Sequence, residues 1–362
     1  MTKLALGLMS GTSGDGVSLA LCSFQKRSFK ILHDATFTYP KPLATVLPKV
    51  LSLSTSEVSK LHTELGIFFA TCAVRFLKKF RVPFSHVTVI GSHGHTVYHG
   101  PYDEPRNTFQ IGEPSYLAEK IGAPVVADFR PRDVAVGGQG APLVPFFDQY
   151  FYGGGKIRAL QNIGGIGNVT LVGKGVRTTA FDTGPGNCLI DLEVQRSTRG
   201  RALFDRDGQI AARGQINLKI LNDMLQHPYL RQKPPKSTGR EIFDRDFIDY
   251  YLHKESSADR IAALTFYTAA SIFISYRKFL PRQPQEILVS GGGAYNKTLM
   301  HHLADLFKPV PVKSLDTLGV PSQAKEPAAF AFLAWRAIRG EINHLPETTG
   351  AKEARILGKI IL

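Results

Sequence analysis

The chain has 362 residues, with 44 Lys and Arg against 30 Asp and Glu, a formal charge of +14 at pH 7 and 43% hydrophobic residues. That length suits two domains, and that hydrophobic share argues against disorder as the main state. The basic balance fits a polyanion binder and equally an enzyme whose substrates are phosphates. Cys22, Cys72 and Cys188 lie far apart and form no CxxC, which speaks against a disulfide scaffold and fits a reducing compartment. The most apolar stretch, Gly66 to Val74, is far short of the roughly 20 residues a bilayer span needs. The apolar run Leu4 to Met9 is too short for a secretory signal and no small-residue cleavage site follows it. The expectation is a soluble cytoplasmic protein.

In chain order, Leu4 to Met9 reads as a buried strand, Ser10 to Gly16 as a Gly-rich turn and Val17 to Phe24 as the return strand of a hairpin. Ser54-Thr55-Ser56-Glu57 is a capping box. The helix it opens carries Leu61, Leu65, Phe68, Cys72 and Phe76 on one face and ends in Lys78-Lys79, which suits a helix C-terminus. Val87 to Ile90 is a strand, with Gly91 to His95 as the loop after it. Ser115 to Ile121 is helical, and Val125 to Ala127 is a strand ending at Asp128. A second strand–turn–strand unit starts near Arg158, with Asn162 to Asn168 as its turn. A Gly-rich hairpin turn thus opens each half of the chain, a hint of two similar domains. Tyr229 to Arg240 is a loop. Asp259 to Leu280 is a long apolar helix that leads to the strand Glu286 to Val289, and Pro327 to Arg339 is another helix. The class is α/β with mixed sheets.

Three Gly-rich turns, Ser10–Gly16, Asn162–Asn168 and Ser290–Ala294, each sit at a strand end. Glycine lets backbone N–H groups approach an anion without a Cβ in the way. There is no GxxxxGK[ST], and no GxGxxG follows the first strand, so neither a P-loop nor a dinucleotide fold is indicated. Asp182-Thr183-Gly184 has the form of an aspartic-protease loop, but the second such loop is absent. Two readings stay open for Asp182: a strand-end general base beside a phosphate site, or a cap on the turn Gly184 to Asn187. His93-Gly94-His95 would need further strand-end ligands to be a metal site, and the later histidines do not supply them. Arg130 and Arg132 could hold a carboxylate or phosphate; alternatively one of them belongs to a surface ion-pair cluster. Glu326 opens an apolar helix, where an acid suits the helix dipole.

Taken together, these stretches resemble the anhydro-N-acetylmuramic acid kinase family of the actin–hexokinase–Hsp70 ATPase superfamily. The matching residues run from Met9 to Ser13 with Asp15-Gly16, then Gly91 to Gly94, Gln110 to Pro114, Val125 to Arg130 and Gly137 to Pro145. Asn162 to Ile166, Phe181 to Asn187, Pro235 to Glu241, Gly291 to Ala294 and the Glu326 helix complete them. The resemblance implies a two-lobed actin/hexokinase-like (ribonuclease H-like) ATPase fold with an inter-domain cleft. The expected lobes are 1–140, rejoined by the C-terminal segment 346–362, and 141–345.

The resemblance further implies ATP and Mg²⁺ as cofactors. Nucleotide contacts are expected from Gly11, Thr12, Ser13, Gly14, Asp15, Gly16, Val17 and Ser18 in one lobe. In the other they are expected from Asn162, Gly164, Gly165 and Asn168, with Gly291, Gly292, Gly293 and Asn296 near the adenosine. Asp182 is the expected base, with Arg130 and Glu326 as further catalytic residues. Ser13, His93, Asp128, Arg130, Asp182 and Glu326 are expected on the sugar, and Asp15 on magnesium. The implied reaction hydrolyses the 1,6-anhydro ring of 1,6-anhydro-N-acetylmuramic acid and phosphorylates O6, in peptidoglycan recycling. A homodimer is implied; nucleic acid and membrane partners are not. The chain departs from the family pattern at Gly14 (usually bulky), Ser18 (usually acidic) and His95 (usually Gln). Those departures leave Asp15 as the one carboxylate of its turn. They also keep open a kinase of another anhydro sugar, such as levoglucosan; an ATP-binding sensor without turnover is the other alternative.

Overall fold

The first strand alternates large and small side chains, and this decides how each face packs. In β1 (Leu4–Ser10), Leu4, Leu6 and Leu8 join a core with the helix Thr55–Lys79. On the other face a Cβ on Gly7 would stand 1.8 Å from the Pro327 carbonyl oxygen. A Cβ on Gly91, its partner in register on β4 (Val87–Ser92), would meet the Phe330 carbonyl oxygen at 2.1 Å. Two adjacent glycines therefore make the seat on which the helix Lys325–Ala337 lies, and any side chain there would lift it off the sheet. The structure, a computed structural model, describes residues 4–11, 16–239 and 241–362.

The remaining strands of this sheet are β2 (Gly16–Gln25), β3 (Ser28–Thr38), β7 (Val125–Ala127) and β13 (Lys359–Ile361), in the order β13-β7-β4-β1-β2-β3. The strands β1, β2 and β3 run antiparallel in succession, whereas β1–β4 and β4–β7 are parallel. A short antiparallel pair, β5 (His95–Gly100) and β6 (Asn107–Ile111), stands beside it. Ser54 caps the helix Thr55–Lys79 in a capping box with Glu57, as the sequence predicts.

The second sheet consists of β8 (Arg158–Ile163), β9 (Ile166–Val172), β10 (Thr179–Pro185), β11 (Glu286–Ser290) and β12 (Val312–Ser314), in the order β10-β9-β8-β11-β12. Its first three strands are antiparallel in succession, and β8–β11 and β11–β12 are parallel. Both sheets share one plan. A three-strand meander is followed by two strands that line up parallel to the meander's first, and the repeated hairpin turns of the sequence mark its two copies. The helix Ser257–Phe279 packs Ile272 and Tyr276 on this sheet. A buried polar chain, Tyr276 to Gln161 at 3.0 Å and Gln161 to Thr183 at 3.3 Å, satisfies the polar groups beneath it.

The chain divides into two compact units, 1–151 with 324–362, and 152–323. The expected lobes ended at 140 and resumed at 346. The units differ because the helix Val144–Tyr152 packs Phe147 and Phe151 with Phe29 and Phe332 of the first unit. The helix Lys325–Ala337 belongs there too, on the glycine seat. Two loop boundaries also differ. β4 runs on through Ser92, and β5 already begins at His95. No helix of the described residues is long and apolar enough to cross a membrane.

Candidate active site

In the first unit β4 ends beside the helix Phe129–Ala135, which follows β7. Arg130 of that helix donates through Nε and Nη2 to Nε2 of His93, at 3.1 and 3.0 Å. That fixes the histidine proton on Nδ1, which donates to the Gly94 carbonyl at 3.0 Å. Burial, then the Arg130 charge, holds His93 well below its ordinary value, so the ring stays neutral. Burial lowers Arg130 to about 10, against the pull of Glu326. Glu326 is itself raised by burial, opposed by Lys325 and Arg130 and assisted by Asp148. Lys325 is buried and paired with the buried Asp148 at 2.9 Å. The result is a buried guanidinium hydrogen-bonded to a neutral ring and under the attraction of a carboxyl that burial raises. Such a pair can hold a sugar's hydroxyl or carboxylate groups.

Asp128 begins the same helix with φ 50° and pairs with Lys359 of the C-terminal strand at 2.8 Å. With His93 it lines a hollow of about 620 Å³ in this unit. Its carboxylate is therefore already engaged within the unit. Arg132 points to solvent, whereas its neighbour Asp133 is fully buried with His344 at 2.5 Å and Thr349 at 2.6 Å. The first Gly-rich turn is only partly described. Gly11 follows β1, and Ser10 Oγ bridges Tyr39 at 2.6 Å and His95 Nδ1 at 2.8 Å. Burial brings His95 down to about 4, so it too is neutral. Gly16 lies so close to β3 that a Cβ would stand 2.3 Å from the Phe37 carbonyl oxygen. Val17 is buried in the core and Ser18 bonds Thr36 at 2.8 Å, so both side chains are used within the sheet. Thr12, Ser13, Gly14 and Asp15 lie outside the described residues.

In the second unit the turn between β8 and β9 meets the loop after β11, at the carboxyl ends of two adjacent parallel strands. Ligands of α/β sheets bind at such places. Gly164 and Gly165 offer their carbonyls to the N–H groups of Asn187, Gly186 and Cys188 at 2.8, 2.9 and 3.1 Å, which locks the turn onto the start of the helix Cys188–Ser197. Gly291 has φ 82°, and a Cβ there would meet Asn162 Oδ1 and the Ile163 carbonyl at 2.6 Å; one on Gly293 would meet the Ile163 side chain at 2.4 Å. Around Gly292 the nearest atom is Asn187 Nδ2 at 3.5 Å, leaving room on that side. Asn296 is buried, and its carboxamide oxygen caps the helix Lys297–Leu306 through the Leu299 N–H at 3.0 Å.

Strand register aligns the rest. Asn162 stands opposite Asn168, and Asn168 opposite Asp182. Directly opposed residues point to the same face, so these three form a half-buried polar row from the glycine turn to the carboxylate. Asp182 lies inside β10, and the start of the next helix falls at Asn187, so Asp182 does not cap that turn. Its Oδ2 accepts the Thr238 N–H at 3.0 Å. Burial raises it to about 7, against the Thr238 N–H and Lys236. A carboxylate near 7 beside a turn of glycine N–H groups suits a general base next to a phosphate. Sequence reading missed the sleeve around it. The Tyr229 hydroxyl donates to the Asp182 carbonyl at 2.9 Å, and the Asp182 N–H donates to the Lys236 carbonyl at 3.2 Å. The only signal was the Pro235–Arg240 run inside what reads as a plain loop.

A meander plus two parallel strands, present twice among the described residues, is the duplicated ribonuclease H-like plan of actin/hexokinase-like ATPases. The family model described as anhydro-N-acetylmuramic acid kinase matches residues 3–362. A relative of that name from Caldanaerobacter subterraneus subsp. tengcongensis is 40% identical, over 99% of this chain and 97% of its own. Another from Francisella tularensis subsp. novicida is 37% identical, over 99% and 98%. This chain belongs to the anhydro-N-acetylmuramic acid kinase family. Among solved structures it is also similar to a ROK family glucokinase from Streptomyces griseus, with a TM-score of 0.41 and 12% identity over 92% of this chain and 99% of the other.

Proposed function

We propose that this chain uses ATP to open the 1,6-anhydro ring of 1,6-anhydro-N-acetylmuramic acid and phosphorylate O6, giving N-acetylmuramic acid 6-phosphate and ADP. The observation that carries this reading is Asp182: a carboxylate near neutrality, held by the Thr238 N–H, at the end of the polar row that starts at the Gly164-Gly165 turn. The full-length family match supplies the substrate class.

The anhydro bridge is an internal glycosidic bond. Asp182 takes a proton from water as the water oxygen bonds to C1, and the C1–O6 bond breaks. The released O6 bonds to the γ-phosphorus as that atom parts from ADP. The phosphoryl group thus takes the place of the proton that a glycosidase acid would deliver. One carboxylate suffices, because phosphoryl transfer depends mainly on positioning and charge neutralisation. Backbone N–H groups of Gly164, Gly165 and the first Gly-rich turn hold the phosphates, and Gly291 to Gly293 border the adenosine. Arg130 and Glu326 orient the sugar, with His93 fixing the guanidinium. Among the described residues no group of three or more His, Cys, Asp or Glu could hold a metal ion. In this reading Mg²⁺ would come with the nucleotide phosphates, as it commonly does, and would supply charge neutralisation there, with Asp15 as the proposed protein ligand.

The same proposal places the protein in the cytoplasm, where ATP and reduced thiols occur; all three cysteines are buried. It takes the assembly to be a homodimer, which sedimentation would test. The function is tested by supplying ATP and Mg²⁺ with either 1,6-anhydro-N-acetylmuramic acid or levoglucosan and comparing kcat/KM. A large preference for the amino sugar is expected. A preference for levoglucosan, or ATP binding without turnover of either sugar, would overturn the reading.

A further inference from the structure

The ladder between β9 and β10 slips by one residue just past the carboxylate. Asp182 stands opposite Asn168, yet Gly184, two residues on, stands opposite Gly167. Thr183 is therefore the extra residue of a β-bulge, a device that bends its strand and re-aims a side chain. What it does here follows from the far end of β10, where the Gly186 and Asn187 N–H groups are fixed on the Gly165 and Gly164 carbonyls. Counted back from that end without a bulge, Asp182 would stand opposite Val169. Val169 is buried in the core with Ile272 and Tyr276. A slip of one residue turns a side chain to the other face, so the carboxylate would be driven into that core. The bulge keeps Asp182 in the polar row with Asn162 and Asn168.

Two glycines make room for it. Gly184 has φ 133°, a conformation that favours glycine, and a Cβ on Gly167 would stand 2.8 Å from Thr183 Oγ1. A bulged residue leaves the ladder, so its buried backbone needs other partners. Thr183 is fully buried, and its carbonyl accepts the hydroxyl of Ser275, from the helix Ser257–Phe279, at 3.1 Å. The Asp182 carbonyl accepts the Tyr229 hydroxyl at 2.9 Å. Ser275 and Tyr229 are themselves buried. Two hydroxyls thus fix the two peptide planes that flank Thr183. We propose that Ser275 and Tyr229 are positioning residues for the reaction: by holding the two carbonyls of the bulge, they aim the Asp182 carboxylate. Neither acts on the substrate; each acts through the strand that carries Asp182, whose reading as the base is the one on which this inference rests.

Two measurements test this on the full chain. The first is the single-turnover rate of Ser275→Ala and Tyr229→Phe, each of which removes one hydroxyl. Misplacing a reacting group by about 1 Å can cost about a hundredfold, so the loss of one of two holds should slow the turnover about tenfold, with KM for ATP and for the sugar unchanged within about twofold. Ser275→Thr, which keeps the hydroxyl, should regain most of the rate lost in Ser275→Ala. A merely structural role would lower the urea midpoint and leave the rate per folded molecule untouched; that result in both single variants would overturn the proposal. The second measurement does not depend on turnover. Hydrogen exchange is followed by mass spectrometry in the peptide that spans β10. It should be faster in Ser275→Ala than in the wild type, with exchange in β1 unchanged; equal exchange in β10 would refute the hold. Wild-type protein that turned over neither sugar would refute the kinase reading alone, leaving the exchange to decide the hold.

Discussion

Replacing Asp182 by asparagine should destroy activity and stabilise the protein, both for one reason. An ordinary aspartate titrates at 3.8; burial holds the folded one near 7. Its folded value is raised, so its contribution is most favourable below 3.8 and is lost as pH rises through 7. At 1.36 kcal/mol per pH unit, the span between the two values comes to about 4 kcal/mol. Asparagine keeps the shape and can still accept the Thr238 N–H, without the charge. Part of the gain is forfeited because Lys236 loses its attractive partner, so about 2 kcal/mol is a reasonable expectation. The assay is urea unfolding of both proteins at pH 5 and pH 8, with kcat measured beside it. The stability advantage of Asp182→Asn should be small at pH 5 and grow toward pH 8, while kcat falls at least a hundredfold. An equal or lower stability of the variant at pH 8 would refute the burial account; a near wild-type kcat would refute the base.

Three other outcomes follow from the same contacts. Gly7→Ala should destabilise the first unit by about 2 kcal/mol or more, because the new Cβ meets backbone of the Lys325–Ala337 helix; a neutral effect in urea unfolding would mean that the seat can yield. Asp133→Asn should cost about 3 kcal/mol by breaking a buried pair with His344, and the loss should shrink at low pH. The sign follows from the partners: His344 and Thr349, against burial, lower Asp133, so its stabilising contribution is present above the ordinary carboxylate value and lost as pH falls below it. Arg130→Met should raise KM for the sugar at least tenfold while leaving KM for ATP within about twofold, if the guanidinium holds the sugar; a change in KM for ATP alone would move Arg130 to the nucleotide.

The hairpins, the capping box, the long helices and the doubled glycine turn were legible because each has a local cause. Leu4 to Met9 is apolar, Ser54 and Glu57 cap through neighbours in sequence, and glycine marks its turns. β3 was not legible, since Lys30, His33 and Asp34 break its apolar pattern and its strand state comes from pairing with β2. The unit boundary was missed for a related reason. The Val144–Tyr152 helix is held by Phe29 and Phe332, which are distant in sequence. Asp182 could be singled out from its motif, but base and cap could be separated only by the partner of its carboxylate, Thr238, 56 residues on. The bulge at Thr183 was not legible either, because the hydroxyls that hold it, on Tyr229 and Ser275, stand far from it in sequence. The neutral state of His93 likewise depends on burial and on Arg130, which reaches it from another strand's end.

The central claim is that water opens the ring while ATP phosphorylates the oxygen released. The direct test is to react the protein with ATP, Mg²⁺ and 1,6-anhydro-N-acetylmuramic acid in ¹⁸O water, quenched early, and to fragment the product by mass spectrometry. The account predicts a 6-phosphate sugar with ¹⁸O on C1 and none in the phosphoryl group. An unlabelled sugar, or label found in phosphate instead, would contradict it.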